Sequence, residues 1–148
     1  MGNARSLFVL FNKHSEMFPL LKKDEDNPLE LFHIWLNLPK KNKMVEPHFK
    51  MLWGSKIPKL RKADGAGKYI EVEVIVGKLH GEAAPAPPPD SWAADAANQV
   101  AVFNMKLEPG ARFTLAKAAA GIYRTLYFYL GAGSRWLASP SNSIIPWW

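Results

Sequence analysis

The stretch NPLELFHIWLNLPKKNKMVEP, residues 27–47, decides the expected fold of this chain. Its first part, residues 29–38, is apolar at both odd and even positions, which is typical of a strand covered on both faces in a sandwich or barrel. Pro39 removes a backbone donor and ends that strand. Three lysines within residues 40–43 follow. The sequence therefore predicts a buried strand that leads into an exposed basic connector.

Residues 68–76 show the clearest alternation of apolar and polar side chains in the chain. This period of two predicts a strand with one buried face, as in an antiparallel sandwich. Glu71 and Glu73 lie on the opposite face, where we expect them to meet solvent and not to act as an acid–base pair. Gly77 follows directly and is expected to permit a bend or bulge.

Further strands are predicted at residues 6–11, 100–107 and 124–130, from short apolar or alternating runs. Residues 108–111, EPGA, have proline and glycine in the places that a type II turn requires. We expect residues 112–115 to return as the partner strand of a hairpin. The chain is therefore predicted to be all-β and mostly antiparallel.

The segment 80–99 is predicted to be a long loop, stiffened by four prolines between residues 85 and 89. Loops of this length in compact domains are usually functional covers or binding loops. A proline-rich run of this kind also suits an SH3-type groove. We favour a structural crossover over the mouth of a barrel.

The composition of the chain limits the classes of protein to which it can belong. The chain has 148 residues, a formal net charge of +6 and no cysteine. The absence of cysteine excludes disulfides and thiolate chemistry and suits a reducing compartment, so we expect a cytoplasmic protein, or a nuclear one in a eukaryote. No apolar run approaches the ~18–20 residues of a membrane span, and the charge excess is too small to indicate nucleic acid.

His14 and Glu16 are the candidate metal ligands. Residues two apart on a strand project from one face, ~7 Å apart, so both side chains can reach one ion. An imidazole and a carboxylate suit Fe(II), Mn(II) or Zn(II), although such a spacing by itself is more often a solvated pair. His33, His48 and His80 have no second ligand type at metal spacing. We therefore interpret those three as structural histidines.

Five segments of the chain, in order, resemble the pirin family of bicupin proteins. They are HSEMFPLL from residue 14, IWLNLPKKNKMVEPHF, PPPDSWA, LEPGARFTL and RTLYFY, within residues 14–129. The resemblance implies a cupin-type jelly roll, a β-sandwich or barrel. It also implies the domain order: residues 1–38 as the last strands of an N-terminal barrel, 39–60 as connector, 61–130 as the first part of a C-terminal barrel, and 131–148 as an irregular tail. We expect a fragment of a bicupin protein.

The resemblance further implies function. Some pirins are iron-dependent quercetin 2,3-dioxygenases that act on flavonols, and others bind proteins as transcriptional co-regulators. In the family, the residues that match His14 and Glu16 are Fe(II) ligands, and a His-x-His motif upstream supplies two more. No histidine precedes His14 here. Three hypotheses stay open: an iron dioxygenase, a non-enzymatic protein-binding module, and a truncated product without independent function.

Overall fold

The computed structural model of the protein describes residues 5–10, 20–131 and 144–147. This part of the chain is mostly strand, with antiparallel pairing in three of its four small sheets and only short 3-10 helices. The strands are β1 (Arg5–Leu10), β2 (His48–Trp53), β3 (Lys59–Ala63), β4 (Tyr69–Val76), β5 (Lys78–Leu79), β6 (Glu82–Ala83), β7 (Val102–Leu107), β8 (Arg124–Tyr127) and β9 (Ile144–Trp147). The 3-10 helices are Lys40–Asn42, Gly54–Lys56, Trp92–Ala94 and Ala96–Asn98.

The chain divides into two compact units, Met1–Ala111 and Arg112–Trp148. Across the described residues, no helix has the length and apolar character that a membrane crossing requires. The all-β prediction is confirmed at this level. The jelly-roll arrangement of a cupin stays a prediction.

A three-stranded antiparallel sheet with the order β3-β4-β7 forms the centre of the first unit. In β4, the side chains of Ile70, Val72 and Val74 are fully buried and Val76 is nearly so. Val72 lies opposite Leu60 on one side and Met105 on the other, so this face of the sheet is apolar at its centre, whereas Lys62 lies opposite Ile70 nearer its end. Burying a Val or Ile side chain contributes about 1.5–3 kcal/mol, which makes this face the main source of stability. The strand predicted at residues 68–76 is confirmed.

The opposite face of this sheet carries cross-strand ion pairs. Glu73 lies opposite Lys59 and binds its ammonium group at 2.5 Å, and Glu71 lies opposite Arg61 and accepts from its Nε at 2.6 Å. On the other side, Asn104 of β7 donates to Glu73 at 3.0 Å. Both glutamates therefore hold strands together, and their side chains, 19% exposed in Glu71 and 17% in Glu73, are more covered than the expected contact with solvent implies.

Two glycines take the conformations that their positions require. Gly77 follows β4 in a bend with a φ of +85°, so the predicted bend is confirmed. The register irregularity between β4 and β7 lies just before it, between Val74 and Val76. Gly110 has a φ of +81° in a turn closed by a hydrogen bond from the Ala111 amide to the Glu108 carbonyl, at 2.9 Å. This is the predicted type II turn.

The predicted buried strand at residues 29–38 is wrong. The structure assigns no strand there, and most of its large apolar side chains are exposed, with Trp35 at 84% and Leu31 at 59%. Leu38 alone among them is buried, at 8%. Alternation and apolar content indicate which side chains a strand would bury. A strand also needs neighbouring strands as hydrogen-bond partners, and the local sequence pattern does not identify those partners.

The connector contains more regular structure than expected. Within residues 39–60, β2 pairs antiparallel with β1, so that Phe8 lies opposite Lys50. The strand predicted at residues 6–11 is thereby confirmed as β1. Leu52 of β2 is buried at 3%, and it anchors this segment to the apolar interior of the first unit.

The predicted hairpin through residues 112–115 is also wrong, because those residues form no strand and β7 pairs with β4 instead. The strand predicted at residues 124–130 is confirmed in its first part as β8. In the second unit, β8 pairs in parallel with β9, which lies within the segment predicted to be an irregular tail. The Arg124 guanidinium donates to the Ala116 carbonyl and holds the preceding loop to β8.

Candidate functional site

The two predicted metal ligands, His14 and Glu16, lie outside the described residues. Within residues 20–131, the structure brings together no group of three or more His, Asp or Glu side chains that could hold an ion. His33 packs its ring against Trp35 at a centroid distance of 5.3 Å, and His48 lies 3.7 Å from Asp90. Neither histidine therefore belongs to a described ligand set.

A surface groove of about 430 Å³ lies where the basic connector meets the proline-rich loop. Pro39, Lys41 and Asn42 line it from the connector. Asp90, Trp92 and Asp95 line it from the loop. The groove therefore lies between the predicted basic connector and the predicted proline-rich loop.

Side chains fix the loop wall of this groove by capping its two 3-10 helices. The Ser91 hydroxyl accepts from the Ala93 amide at 3.2 Å, and the Asp95 carboxylate accepts from the Ala97 amide at 2.9 Å. The Asn98 amide group donates to the Trp92 carbonyl at 2.8 Å. Ser and Asp are preferred at such cap positions because their short oxygens satisfy free backbone amides. The loop is thus ordered by its own sequence.

The connector wall is tied to the loop wall at Asp90. The Asn42 side chain donates to the Asp90 carbonyl at 2.8 Å, and His48 Nε2 lies 3.7 Å from its carboxylate. Lys50 of β2 donates to the Ala86 carbonyl at 2.6 Å, and Pro88 between these contacts is fully buried. Because these contacts join residues far apart in sequence, the groove is preformed.

The exposed groups around the groove suit binding. The Trp92 indole is 40% exposed, between the carboxylates of Asp90 and Asp95 along the loop. An indole face and a carboxylate together recognise a guanidinium or ammonium group by stacking and hydrogen bonding. Lys41 on the facing wall offers a cation to a carbonyl or carboxylate. The groove therefore presents groups of both charges around one aromatic surface.

A second polar cluster lies on the outer face of the central sheet. The Glu71 carboxylate accepts from Arg61 at 2.6 Å and from the Tyr69 hydroxyl at 3.0 Å. The hydrogen bond from Arg61 is the largest cause that lowers the pKa of Glu71. Partial burial, followed by the hydrogen bond to Glu71, raises the pKa of Tyr69. These shifts favour the ionised Glu71 and the neutral Tyr69, as in a structural network.

The sequence carried partial signals for the groove. Residues 90–92, DSW, belong to the segment PPPDSWA, which resembles pirins, whereas the capping roles of Ser91 and Asp95 were not predicted. The contact of Asn42 with Asp90, 48 residues away, had no local signal. Comparisons of the chain with protein-family models, with curated proteins and with solved structures found no match.

Proposed function

We propose that this chain is a pirin-like, cupin-type module that binds a protein partner and is not by itself a dioxygenase. The sequence segments that resemble pirins support the family. The observation that carries the binding role is the Trp92 indole, exposed in a preformed groove between two carboxylates. Aromatic side chains of this kind are enriched at the centres of protein interfaces.

The chemistry of the groove favours one class of partner, a short extended peptide that carries an arginine or a lysine. The basic side chain stacks on Trp92 and binds Asp90 or Asp95, while Lys41 binds a carbonyl or acidic group of the same peptide. The hydrogen bonds within the loop keep the wall rigid, so binding costs little ordering of the protein.

A fluorescent heptapeptide library with arginine, lysine or norleucine at the central position tests this proposal. We expect binding of the basic peptides that weakens with salt and is lost in Trp92→Ala. The matched control is Trp35→Ala, which removes an indole of even greater exposure outside the groove. Equal binding by the norleucine peptides, or unchanged binding by Trp92→Ala, would contradict the proposal.

Iron-dependent oxidation of a flavonol is the second candidate, and it rests on His14 and Glu16 in the segment that resembles pirins. These two residues would hold Fe(II), which in such an enzyme binds substrate and dioxygen at open positions. The described residues add no further cluster of ligands, so we derive no catalytic step through the ion. Each ligand replaced by water lowers affinity, and two ligands do not by themselves define an octahedral geometry.

An anaerobic Fe(II) titration of the parent chain and of His14→Ala, followed by oxygen-consumption measurements with quercetin, separates the two candidates. We expect weak, poorly selective binding and no turnover. Tight stoichiometric iron that is lost in His14→Ala, together with turnover by the parent, would establish the dioxygenase. If neither peptide nor iron binds, the third hypothesis, a truncated product without independent function, is favoured.

A further inference from the structure

We propose that two copies of this chain associate through residues 29–37, paired antiparallel about a two-fold axis near His33 and Ile34. Residues 29–37 directly precede the connector wall of the groove, and Lys41 belongs both to that wall and to the basic flank of this surface, but the proposal does not depend on peptide binding by the groove. Residues 29–37 belong to the segment that was predicted to be a buried strand, and their large apolar side chains are exposed in the structure.

The first observation is the amount of apolar surface. Leu29, Leu31, Ile34, Trp35 and Leu36 have exposed fractions of 63%, 59%, 64%, 84% and 43%. For side chains of these sizes, the exposed area is on the order of 600 Å². Two copies would bury about 1,200 Å² together, which reaches the lower limit of specific protein interfaces. An exposed apolar area of this size is typical of an interaction site.

The second observation is the charge on either side of the segment. The flank before it, residues 22–26, has three carboxylates and two lysines, with Lys22 ion-paired to Glu25, and the flank after it has Lys40, Lys41 and Lys43. In an antiparallel pair, the acidic flank of each copy lies beside the basic flank of the other. A parallel pair would place like charges together at both ends. The charge pattern therefore selects a second copy of the same chain as partner, and the antiparallel direction.

Local structure keeps the acidic flank in place. The Asn27 side chain accepts from the Leu21 and Lys22 amides, at 2.8 and 2.9 Å, and donates to the Lys22 and Glu25 carbonyls, at 2.8 and 3.0 Å. At the other end, Leu38 is buried and Asn42 is bonded to Asp90. The apolar segment is thus held between two ordered ends, which lowers the entropy lost on pairing.

One register satisfies the side chains best. With Glu30 opposite Asn37, the apolar residues Leu31 and Phe32 lie opposite Leu36 and Trp35 of the other copy. The Asn37 amide oxygen already accepts from Lys43, so its NH₂ group is the part that faces the Glu30 carboxylate. Aromatic and aliphatic cross-strand pairs of this kind stabilise antiparallel sheets.

Single cysteine variants test the register directly, because the chain has no cysteine of its own. Glu30→Cys and Asn37→Cys are produced in chains of different length, so that a mixed dimer differs in mass from a dimer of one variant. The two variants are then mixed and oxidised. We expect a disulfide-linked heterodimer, since opposite Cα atoms lie about 5.5 Å apart. Each variant alone should give little product, because the two equivalent positions would be about 24 Å apart. Glu30→Cys with Glu108→Cys is the matched control.

Sedimentation velocity of the unmodified chain gives the second measurement. We expect a concentration-dependent dimer, and Trp35→Asp should weaken its association by about tenfold or more. Charge reversal of either flank alone should also weaken it, and reversal of both flanks in one chain should restore it. A monomer throughout, cross-linking of Glu30→Cys with itself, or an aggregate without preference for the mixed pair would overturn the proposal.

Discussion

Replacement of Gly77 by alanine is the sharpest test of the central sheet. Gly77 has a φ of +85°, and a Cβ built there would lie 2.8 Å from the Val100 carbonyl oxygen and 3.0 Å from the Ala101 Cβ. The left-handed conformation costs a non-glycine residue about 1–2 kcal/mol. The contact with backbone atoms adds about 1–2 kcal/mol more, because no flexible side chain can move aside.

Substitutions at two other glycines measure the conformational cost separately from the steric cost. Gly67 has a φ of +77° but nothing within 4 Å of its built Cβ, so Gly67→Ala carries the conformational cost alone. Gly65 lies outside the left-handed region and is equally open, so Gly65→Ala carries neither cost. Alanine also lowers the entropy of the unfolded chain, which offsets about 0.4–1 kcal/mol at each site. We expect net losses of about 2 kcal/mol for Gly77 and about 1 kcal/mol for Gly67, and a gain of about 0.5 kcal/mol for Gly65.

Urea unfolding followed by tryptophan fluorescence measures the series. With a slope of about 2 kcal/mol per molar urea, Gly77→Ala should lower the midpoint by about 1 M and Gly67→Ala by about 0.5 M. Gly65→Ala should raise it by about 0.25 M. If Gly77→Ala is no more destabilising than Gly67→Ala, the close approach of Val100 and Ala101 to Gly77 is not a feature of the folded protein.

Three further predictions concern the same unit. Ile70→Ala should cost about 2–5 kcal/mol in urea unfolding because the side chain is fully buried, whereas Leu107→Ala, 37% exposed, should cost less; equal costs would contradict the assigned core face. The lowered pKa of Glu71 stabilises the fold above the pKa of the unfolded chain, and this contribution is lost as the pH falls through the folded value. Stability should therefore decline less steeply from pH 5 to pH 3 in Glu71→Gln than in the parent, and identical pH profiles would argue against the Arg61 hydrogen bond. Asn42→Ala should cost about 0.5–1.5 kcal/mol and speed hydrogen exchange at the amides of residues 90–98, while unchanged exchange would mean that the loop is ordered without the connector.

The local sequence pattern was sufficient to predict those features that depend only on neighbouring residues in the chain. The alternation in β4 predicted both faces correctly, because side chains on a strand alternate by stereochemistry and only one set can be buried. The turn at residues 108–111 followed from proline and glycine, whose allowed φ values match a type II turn. The bend at Gly77 followed from the same property of glycine.

The choice of partners was not in the local pattern. Residues 29–38 have a strand's composition and remain unassigned to any sheet, while β7 pairs with β4 and not with residues 112–115. Strand pairing depends on which distant segment has complementary side chains. In β7, for example, Asn104 lies opposite Glu73 of β4 and donates a hydrogen bond to it. The groove arises in the same way, since Asn42 reaches Asp90 across 48 residues. Sequence alone thus determined the faces of β4 and the turn at residues 108–111, because those follow from the allowed conformations of neighbouring residues. Only the tertiary structure decided which strands pair and where the Trp92 groove forms, because those depend on contacts between residues far apart in the chain.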